Sequence, residues 1–473
     1  MADAQDISQL GGAAATAFPK TWGGELSILL KLGLPMAAAQ LIQFSIYFFD
    51  TIMIARISPV DVAAAALGSV VYFMLWMIGS GPVMAVSPLV SQALGKNKDD
   101  LKDPRRSVRM AIWVSFMMLP IVIFCLLFTE TVALKLGQDP EVSRKAHSYM
   151  LALALGLPFT LAIMALRNFL AALGKTAVPL VLVTLTTLTN IGLNYVLIFG
   201  HFGAPRLELI GAGIASSIAS IVGFFLFIAY IQWDKSAKRF DLFKRLHQPD
   251  WARFKEILAL GFPISVTTVF EGALFNALVL LTGIIGVMQQ AAYQIALNVV
   301  ALAFMLPYGM SMAGAVRIGL ARGAKNRLAE KRAASTTMIA CVIAISLFAI
   351  PVALLPEFIS GLYLDSDKPD DKIVADFVIG FLPLAAAFAL FDAAQVGANQ
   401  LLRGLKDVKA PIYITGVSYW LIGFPIAYYL GLHTPLSANG VWFGLMAALF
   451  SAAIGLGTRL LWQLVKPYHR LKL

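Results

Sequence analysis

The stretch LIGAGIASSIASIVGFFLFIAYIQ, residues 209–232, contains no charged side chain. An α-helix rises about 1.5 Å per residue, so about 20 apolar residues cross the roughly 30 Å hydrocarbon core of a bilayer. Eleven other apolar runs of comparable length occur along the 473-residue chain. The twelve segments are 26–54, 62–93, 108–130, 147–172, 177–200, 209–232, 256–284, 289–318, 334–354, 374–402, 410–432 and 438–464. The sequence therefore predicts an all-α membrane protein with twelve transmembrane helices.

The composition of the chain is typical of a membrane protein. Hydrophobic residues make up 59% of it and charged residues 13%, whereas a soluble domain carries about 25% charged residues. The net charge of +11 would suggest nucleic acid in a soluble protein. In a membrane protein the same excess usually marks cytoplasmic loops, so we expect no nucleic-acid partner. Cys125 and Cys341 both lie in apolar runs, which gives no support to a disulfide framework or a zinc site.

The basic residues cluster in alternate loops. Lysine and arginine are frequent at 94–109, at 233–255 and after 316. If both termini are cytoplasmic, 30 of the 37 lysines and arginines lie on the cytoplasmic side. The positive-inside rule therefore favours cytoplasmic termini and twelve spans in a bacterial inner membrane.

The chain also repeats itself. LGLP at 32–35 returns as LGFP at 260–263, and the loop 173–179 has a counterpart at 405–411. A third pair is GKN at 95–97 and AKN at 324–326. The offsets are 228 residues for LGLP and LGFP, 229 for GKN and AKN, and 232 for the two loops. Six spans separate the copies, so the repeat is parallel, with a pseudo-twofold axis along the membrane normal.

The repeat predicts two six-helix bundles joined by one basic loop. The predicted parts are an N-terminal tail at 1–25, a bundle at 26–232, a cytoplasmic linker at 233–255, a second bundle at 256–464 and a C-terminal tail at 465–473.

Apart from acids within three residues of a span end, three acidic residues fall inside the predicted spans: Asp50, Glu271 and Asp392. We expect no basic residue at comparable depth. A carboxylate near the bilayer centre is retained mainly where it handles ions, protons or a cationic substrate. The structural alternatives are a mutual hydrogen bond between Glu271 and Asp392, and hydration of Asp50 near the end of its span.

Amide side chains accompany these acids at helical spacing. The stripes are Asp392, Gln395 and Asn399 on the tenth span, Gln290, Gln294 and Asn298 on the eighth, and Asn190 and Asn194 on the fifth. Carboxylate and amide oxygens suit a hard cation such as Na⁺, and a carboxylate alone also suits a proton. The alternative role for the amides is hydrogen bonding between helices.

Four motifs in their spans resemble the multidrug and toxic compound extrusion (MATE) family, in its NorM-like branch. They are FDTIM at 49–53, the segment from Asn190 to Asn194, FEGA at 270–273, and the segment from Asp392 to Arg403 and Gly404. The resemblance covers nearly the whole chain. It implies two bundles and the exchange of Na⁺ or H⁺ for amphipathic organic cations.

The resemblance also implies particular site residues. The expected cation-binding residues are Asp50, Asn190, Asn194 and Ser216 in the first bundle, and Glu271 and Asp392 in the second. We expect substrate contacts at Gln294, Asn298, Phe388 and Gln395. Phe388 departs from relatives that carry a tyrosine there, so a hydroxyl ligand is missing. The expected partners are small organic cations and membrane lipid, with Na⁺ or H⁺ as coupling ion, no cofactor and a monomeric chain.

Other classes of membrane protein fit the sequence less well. A flippase for lipid-linked sugars on the same fold remains the alternative. A major-facilitator transporter would need a basic-glycine signature that 91–107 lacks, and a primary pump would need a Walker loop. The histidines have no nucleophile or metal-ligand spacing around them, so we expect no enzyme.

Overall fold

The computed structural model describes residues 18–364 and 369–467. The predicted tails at 1–25 and 465–473 therefore lie largely outside the described residues. The helices are α1 Trp22–Ala55, α2 Pro59–Met84, α3 Val86–Lys96, α4 Lys102–Leu127, α5 Thr129–Lys135, α6 Pro140–Ala154, α7 Leu157–Ala172, α8 Ala177–Phe199, α9 Glu208–Trp233, α10 Lys235–Lys238, α11 Trp251–Ile285, α12 Val287–Gly323, α13 Arg327–Leu354, α14 Pro356–Gly361, α15 Pro369–Gly404, α16 Lys409–Gly416, α17 Phe424–Leu432 and α18 Ala438–Val465. A π-helical turn, Val417–Gly423, joins α16 to α17.

These helices confirm the predicted all-α membrane fold. In the described part of the chain, eleven helical stretches are long and apolar enough to cross a bilayer by themselves. The pair α6 and α7, bent by 43°, provides the twelfth span, and it is the fourth along the chain. Each predicted segment corresponds to one of these spans.

Apolar side chains cover the outside of the spans, and small residues lie where helices touch. Phe124 and Leu347 are 63% and 66% exposed, as expected for side chains that face lipid. A Cβ added to Gly211 of α9 would lie 2.6 Å from the carbonyl oxygen of Leu197 in α8. Such glycines allow the close backbone approach on which helix association in membranes depends.

The chain forms two compact units. The first unit is Ala38–Ser265, and the second comprises the described parts of Ala17–Ala37 and Val266–Leu473. The long helices α1 and α11 therefore each contribute to both units. Within the second unit, the buried side chains of Glu25 and Arg317 form a bidentate ion pair. Arg317 Nε donates to Glu25 Oε1 at 2.8 Å, and Nη2 donates to Oε2 at 2.7 Å. The bundle boundaries predicted at 26–232 and 256–464 stay a prediction.

The linker at 233–255 is folded onto the first unit. Phe240 is fully buried and meets Phe169 edge to face, with ring centroids 5.3 Å apart. Two side chains of α4 bind its backbone: Arg109 donates to the carbonyl of Gln248 at 2.6 Å, and Trp113 donates to the carbonyl of Leu246 at 2.7 Å. The linker is therefore a packed part of the first unit.

An ion pair fastens the end of the linker. Arg106 donates to both carboxylate oxygens of Asp250, with the Nη2–Oδ1 bond at 3.1 Å. Hydrogen bonds from this guanidinium lower the pKa of Asp250 to about 2. Because the folded pKa is depressed, the stabilisation is present above about pH 4 and is lost as the pH falls toward 2.

Asp250→Asn is expected to lower the stability of the protein at pH 7 by about 1 kcal/mol, the weight of a partly exposed ion pair. Thermal unfolding in detergent at pH 7 measures the effect. Asp241→Asn is the matched control, because the exposed Asp241 forms a long ion pair with Lys244, 3.9 Å away. Equal melting temperatures for the two variants would contradict this role of Asp250.

Candidate cation sites

A continuous chain of polar side chains surrounds Asp50 in the first unit. Asn194 Nδ2 donates to Asp50 Oδ1 at 2.5 Å and to Asn190 Oδ1 at 3.3 Å. Asn190 Nδ2 donates to Ser216 Oγ at 3.0 Å. Asn190 and Asn194 lie one turn apart on α8, so both amides point to the same side. The structure thus brings together all four residues predicted for this site.

Three tyrosines lie near this chain. Tyr149 of α6 lies within electrostatic range of Asp50. Tyr47 and Tyr72 in turn lie within electrostatic range of Tyr149. Tyr149 is also hydrogen-bonded to Ser69. These tyrosines could not be singled out from the sequence, because each is an uncharged side chain in a largely apolar run.

This arrangement can hold a monovalent cation or a proton. Asn190 and Asn194 are buried, and Asp50 and Ser216 are partly exposed. Among the residues that the structure describes, Asn194 Oδ1 is buried and has no hydrogen-bond donor, and such an oxygen is costly unless something binds it. The site has one carboxylate and several neutral oxygens, a set that matches a single positive charge.

The second unit carries a stripe of unsatisfied oxygens on α15. Asp392, Gln395 and Asn399 follow each other at helical spacing and are at most 6% exposed. Within the described residues, Asp392 Oδ1, Gln395 Oε1 and Asn399 Oδ1 are all buried without a hydrogen-bond donor. Such acceptors are costly to leave unmatched, and a proton, a cation or an ordered water can match them.

Gln395 is fixed by a residue that sequence analysis missed. Its Nε2 donates to the hydroxyl of Tyr419 at 2.5 Å, which turns Oε1 toward the unsatisfied side. Tyr419 is fully buried in the π-helical turn, within electrostatic range of Glu271 and Asp392. Turns of this type occur frequently at functional sites. Sequence periodicity could not reveal it, because a π-turn shifts the helical register.

Glu271 of α11 faces the same stripe. It is partly exposed and lies within electrostatic range of Asp392 and Arg403. Arg403 is buried and approaches the hydroxyls of Thr267 and Thr268 at 3.4 and 3.5 Å, one turn from Glu271. A carboxylate pair and one arginine therefore share this site.

The prediction that no basic residue lies at the depth of the acids is wrong. Arg403 follows the predicted end of the tenth span, but a helical side chain extends back toward the helix N-terminus. Arg167 of α7 is a second case, donating to Gln43 Oε1 at 2.8 Å and Gln40 Oε1 at 2.6 Å.

The four residues predicted to contact substrate lie in two different environments. Gln294 and Asn298 are exposed on α12. Phe388 is 2% exposed and packs among Phe275 and Trp442, with ring centroids 6.0 and 5.9 Å away. Gln395 is fully buried beside Asp392. Substrate contact by these residues stays a prediction, and in this structure the aromatic ring of Phe388 belongs to the core of the second unit.

The two sites are not copies of one another. The first and seventh spans are related by an offset of 228 residues, and the fourth and tenth by 232. At these offsets, each acid of one repeat corresponds to a non-acidic residue in the other. The equivalent pairs are Asp50 with Leu278, Gln43 with Glu271, and Thr160 with Asp392. Each unit therefore carries its carboxylates at positions where the other repeat has none.

Sequence comparison identifies the family. The MatE family profile matches residues 35–196 and 263–429. A "Probable multidrug resistance protein NorM" of Rhizobium meliloti (strain 1021) is 38% identical over 439 residues, covering 93% of this chain and 94% of the relative. A protein of the same name from Pseudomonas putida is 35% identical over 440 residues, covering 93% and 95%.

Solved structures with the same fold agree with this assignment. A multidrug resistance MATE family transporter of the MOP superfamily, in an outward-facing conformation, superposes with a TM-score of 0.85 at 18% identity, covering 96% of this chain and 98% of that one. The eukaryotic MATE transporter AtDTX14 gives a TM-score of 0.81 at 19% identity, covering 93% and 96%. Together with the twelve spans, the family profile and the NorM relatives show that the chain belongs to the MATE family, in its NorM-like branch.

Proposed function

We propose that the protein is a secondary active antiporter of a bacterial inner membrane that exchanges Na⁺ or H⁺ for amphipathic organic cations. The observation that carries the proposal is the stripe of Asp392, Gln395 and Asn399, whose three buried oxygens have no donor. Within a membrane, such a set of acceptors next to a carboxylate marks an ion or proton pathway. The names of the curated relatives support drugs as the exported substrates.

The second-unit site can exchange its positive charge. Glu271 and Asp392 lie close enough to interact, so a proton or a Na⁺ between them relieves the repulsion of two carboxylates. Arg403 offsets one of the two negative charges, so one proton or one Na⁺ neutralises the charge that is left. Gln395, oriented by Tyr419, and Asn399 contribute neutral oxygens that replace water around a bare cation.

The Asp50 site supplies a second place where an ion binds. Asn194 donates to the Asp50 carboxylate, and its own Oδ1 stays available as a ligand. Coupling does not require the ion and the drug to touch. An ion that binds one conformation more tightly shifts the equilibrium toward it, and a drug that prefers the other conformation is then released.

Glu271→Gln and Asp392→Asn are each expected to abolish ion-driven efflux while the protein still inserts and folds. The amide keeps the size of the side chain but can neither bind a proton at this position nor carry the charge that holds a cation. Drug efflux from proteoliposomes is measured with Na⁺ and H⁺ gradients imposed separately. Glu208→Gln is the control, because Glu208 is exposed at the start of α9. Near-normal efflux by either variant would show that its carboxylate only fastens helices.

Asn194→Ala is expected to weaken the ion dependence of efflux several-fold with little change in thermal stability. The matched control is Asn276→Ala, because Asn276 donates to Gly272 of its own helix at 2.8 Å. If the asparagines only hold helices together, Asn194→Ala instead costs on the order of 1 kcal/mol of stability and leaves ion dependence unchanged.

The charge distribution predicts the orientation in the membrane. In a Cys125→Ala background, a cysteine at the exposed Lys244 is expected to react with an impermeant reagent from the cytoplasm, and one at the exposed His433 from outside. Labelling of the Lys244 position from outside would overturn the proposed orientation.

A further inference from the structure

Within the described residues one span is broken, and the break has a defined cause. Pro158 has no N–H for the carbonyl of Ala154, and the Gly156 amide donates to Leu153 O at 3.0 Å. An uninterrupted α-helix would use the Gly156 amide for the carbonyl of Ala152. The last turn of α6 therefore needs a donor from another element, because lipid supplies none.

Ser217 of α9 provides this donor. Its buried Oγ donates to Ala152 O at 2.5 Å and lies 3.4 Å from Leu153 O. A Cβ on Gly156 would lie 2.7 Å from Ser217 Cα, so only glycine lets α9 come this close to the break. Ser217 thus holds the α6 side of the fourth span.

Ser220, one turn further along α9, contacts the α7 side of the same span. Thr160 Oγ1 donates to Ser220 Oγ at 3.0 Å, and Tyr72 of α2 is hydrogen-bonded to Thr160. Ser220 Oγ also donates to the carbonyl of Ser216 at 2.8 Å. Ser216 is the residue that accepts from Asn190 at the end of the Asp50 chain.

We propose that Ser217 and Ser220 are positioning residues of the Asp50 cation site. The two serines clamp the two halves of the broken fourth span. The inference rests on the proposed coupling role of Asp50. One short stretch of α9 contacts the site through Ser216, α6 through Ser217 and α7 through Ser220. A change of bend at the break therefore moves the site, and a cation that binds the site favours one bend.

The α6 helix brings the break to the site directly. It carries Tyr149, which lies within electrostatic range of Asp50. A Cβ on Gly213 of α9 would lie 2.7 Å from Ala152 Cβ and 2.9 Å from Tyr149 O, so the two helices are in tight contact beside the site. Small rotations of α6 are transmitted because no space between these backbones can absorb them.

The clamp belongs to the first unit alone. At the offset of 232 residues, Gly156 corresponds to Phe388, and α15 runs without a break from Pro369 to Gly404. Thr160 corresponds to Asp392, the acid of the second-unit site. The same place in the fourth and tenth spans thus holds a hydroxyl of the clamp in one repeat and an ion-binding carboxylate in the other.

The test compares variants that each remove one hydroxyl of the clamp. Ser217→Ala and Thr160→Val are expected to change the half-saturating concentration of the driving ion about fivefold, the weight of one net hydrogen bond. Thr160→Ser keeps the hydroxyl and should restore the wild-type value. Ser115→Ala is the matched control, because it removes a buried hydroxyl that donates to Ala111 of its own helix at 2.9 Å. Efflux is driven by whichever gradient, Na⁺ or H⁺, drives the wild type.

Two further measurements separate the possible outcomes: the melting temperature of each variant, and the ion response of Asp50→Asn. A change of ion affinity in Ser217→Ala and Thr160→Val, with Ser115→Ala unchanged, supports the clamp. Lower melting temperatures with unchanged ion affinity would show a merely structural role and overturn it. If Asp50→Asn alters the ion response but the clamp variants do not, the inference fails and the proposed function stands. If the clamp variants alter it but Asp50→Asn does not, the clamp does not serve this site and the inference also fails.

Discussion

The constraint on which this structure depends is that hydrocarbon does not solvate charge. A carboxylate at membrane depth must be hydrogen-bonded, paired, hydrated or neutral, and so must every backbone carbonyl that loses its helical donor. The same rule accounts for the amide beside Asp50, the arginine near Glu271 and the serine at the broken fourth span. Within the described residues, the oxygens of Asp392, Gln395 and Asn399 have no donor, and this is the feature on which the proposed ion site rests.

The two repeats share a scaffold but not a site. Duplication explains the recurring span order and the matching LG-X-P and loop motifs. It does not explain the acids, because the equivalent of Asp50 is a fully buried leucine, Leu278. The two units therefore carry their charges at non-equivalent positions of one architecture. A carboxylate bonded to one amide, with a second amide and a serine behind it, differs in chemistry from a carboxylate pair near an arginine, so the two sites need not bind the same ion or act at the same step.

The fold and half of the candidate chemistry could be predicted from the sequence. Twelve apolar runs predict twelve spans because only helices satisfy the backbone in lipid. The Asp50 group could be assembled because the family resemblance supplies the pairing between different spans, which helical spacing alone does not. Arg403 was placed outside the span because a residue count ignores the reach of its side chain. Tyr419 and the break at Gly156 were missed because a π-turn and a tightened turn alter the register that any periodicity assumes.

The most direct test records both fluxes in one preparation. Proteoliposomes containing the protein are loaded with a fluorescent organic cation, and entry of the opposing ion and exit of the drug are followed together. The account predicts that the ion enters as the drug leaves in a fixed ratio, and that removing the ion gradient stops net efflux. Drug efflux that continues at the same rate with no opposing flux of Na⁺ or H⁺ would contradict it.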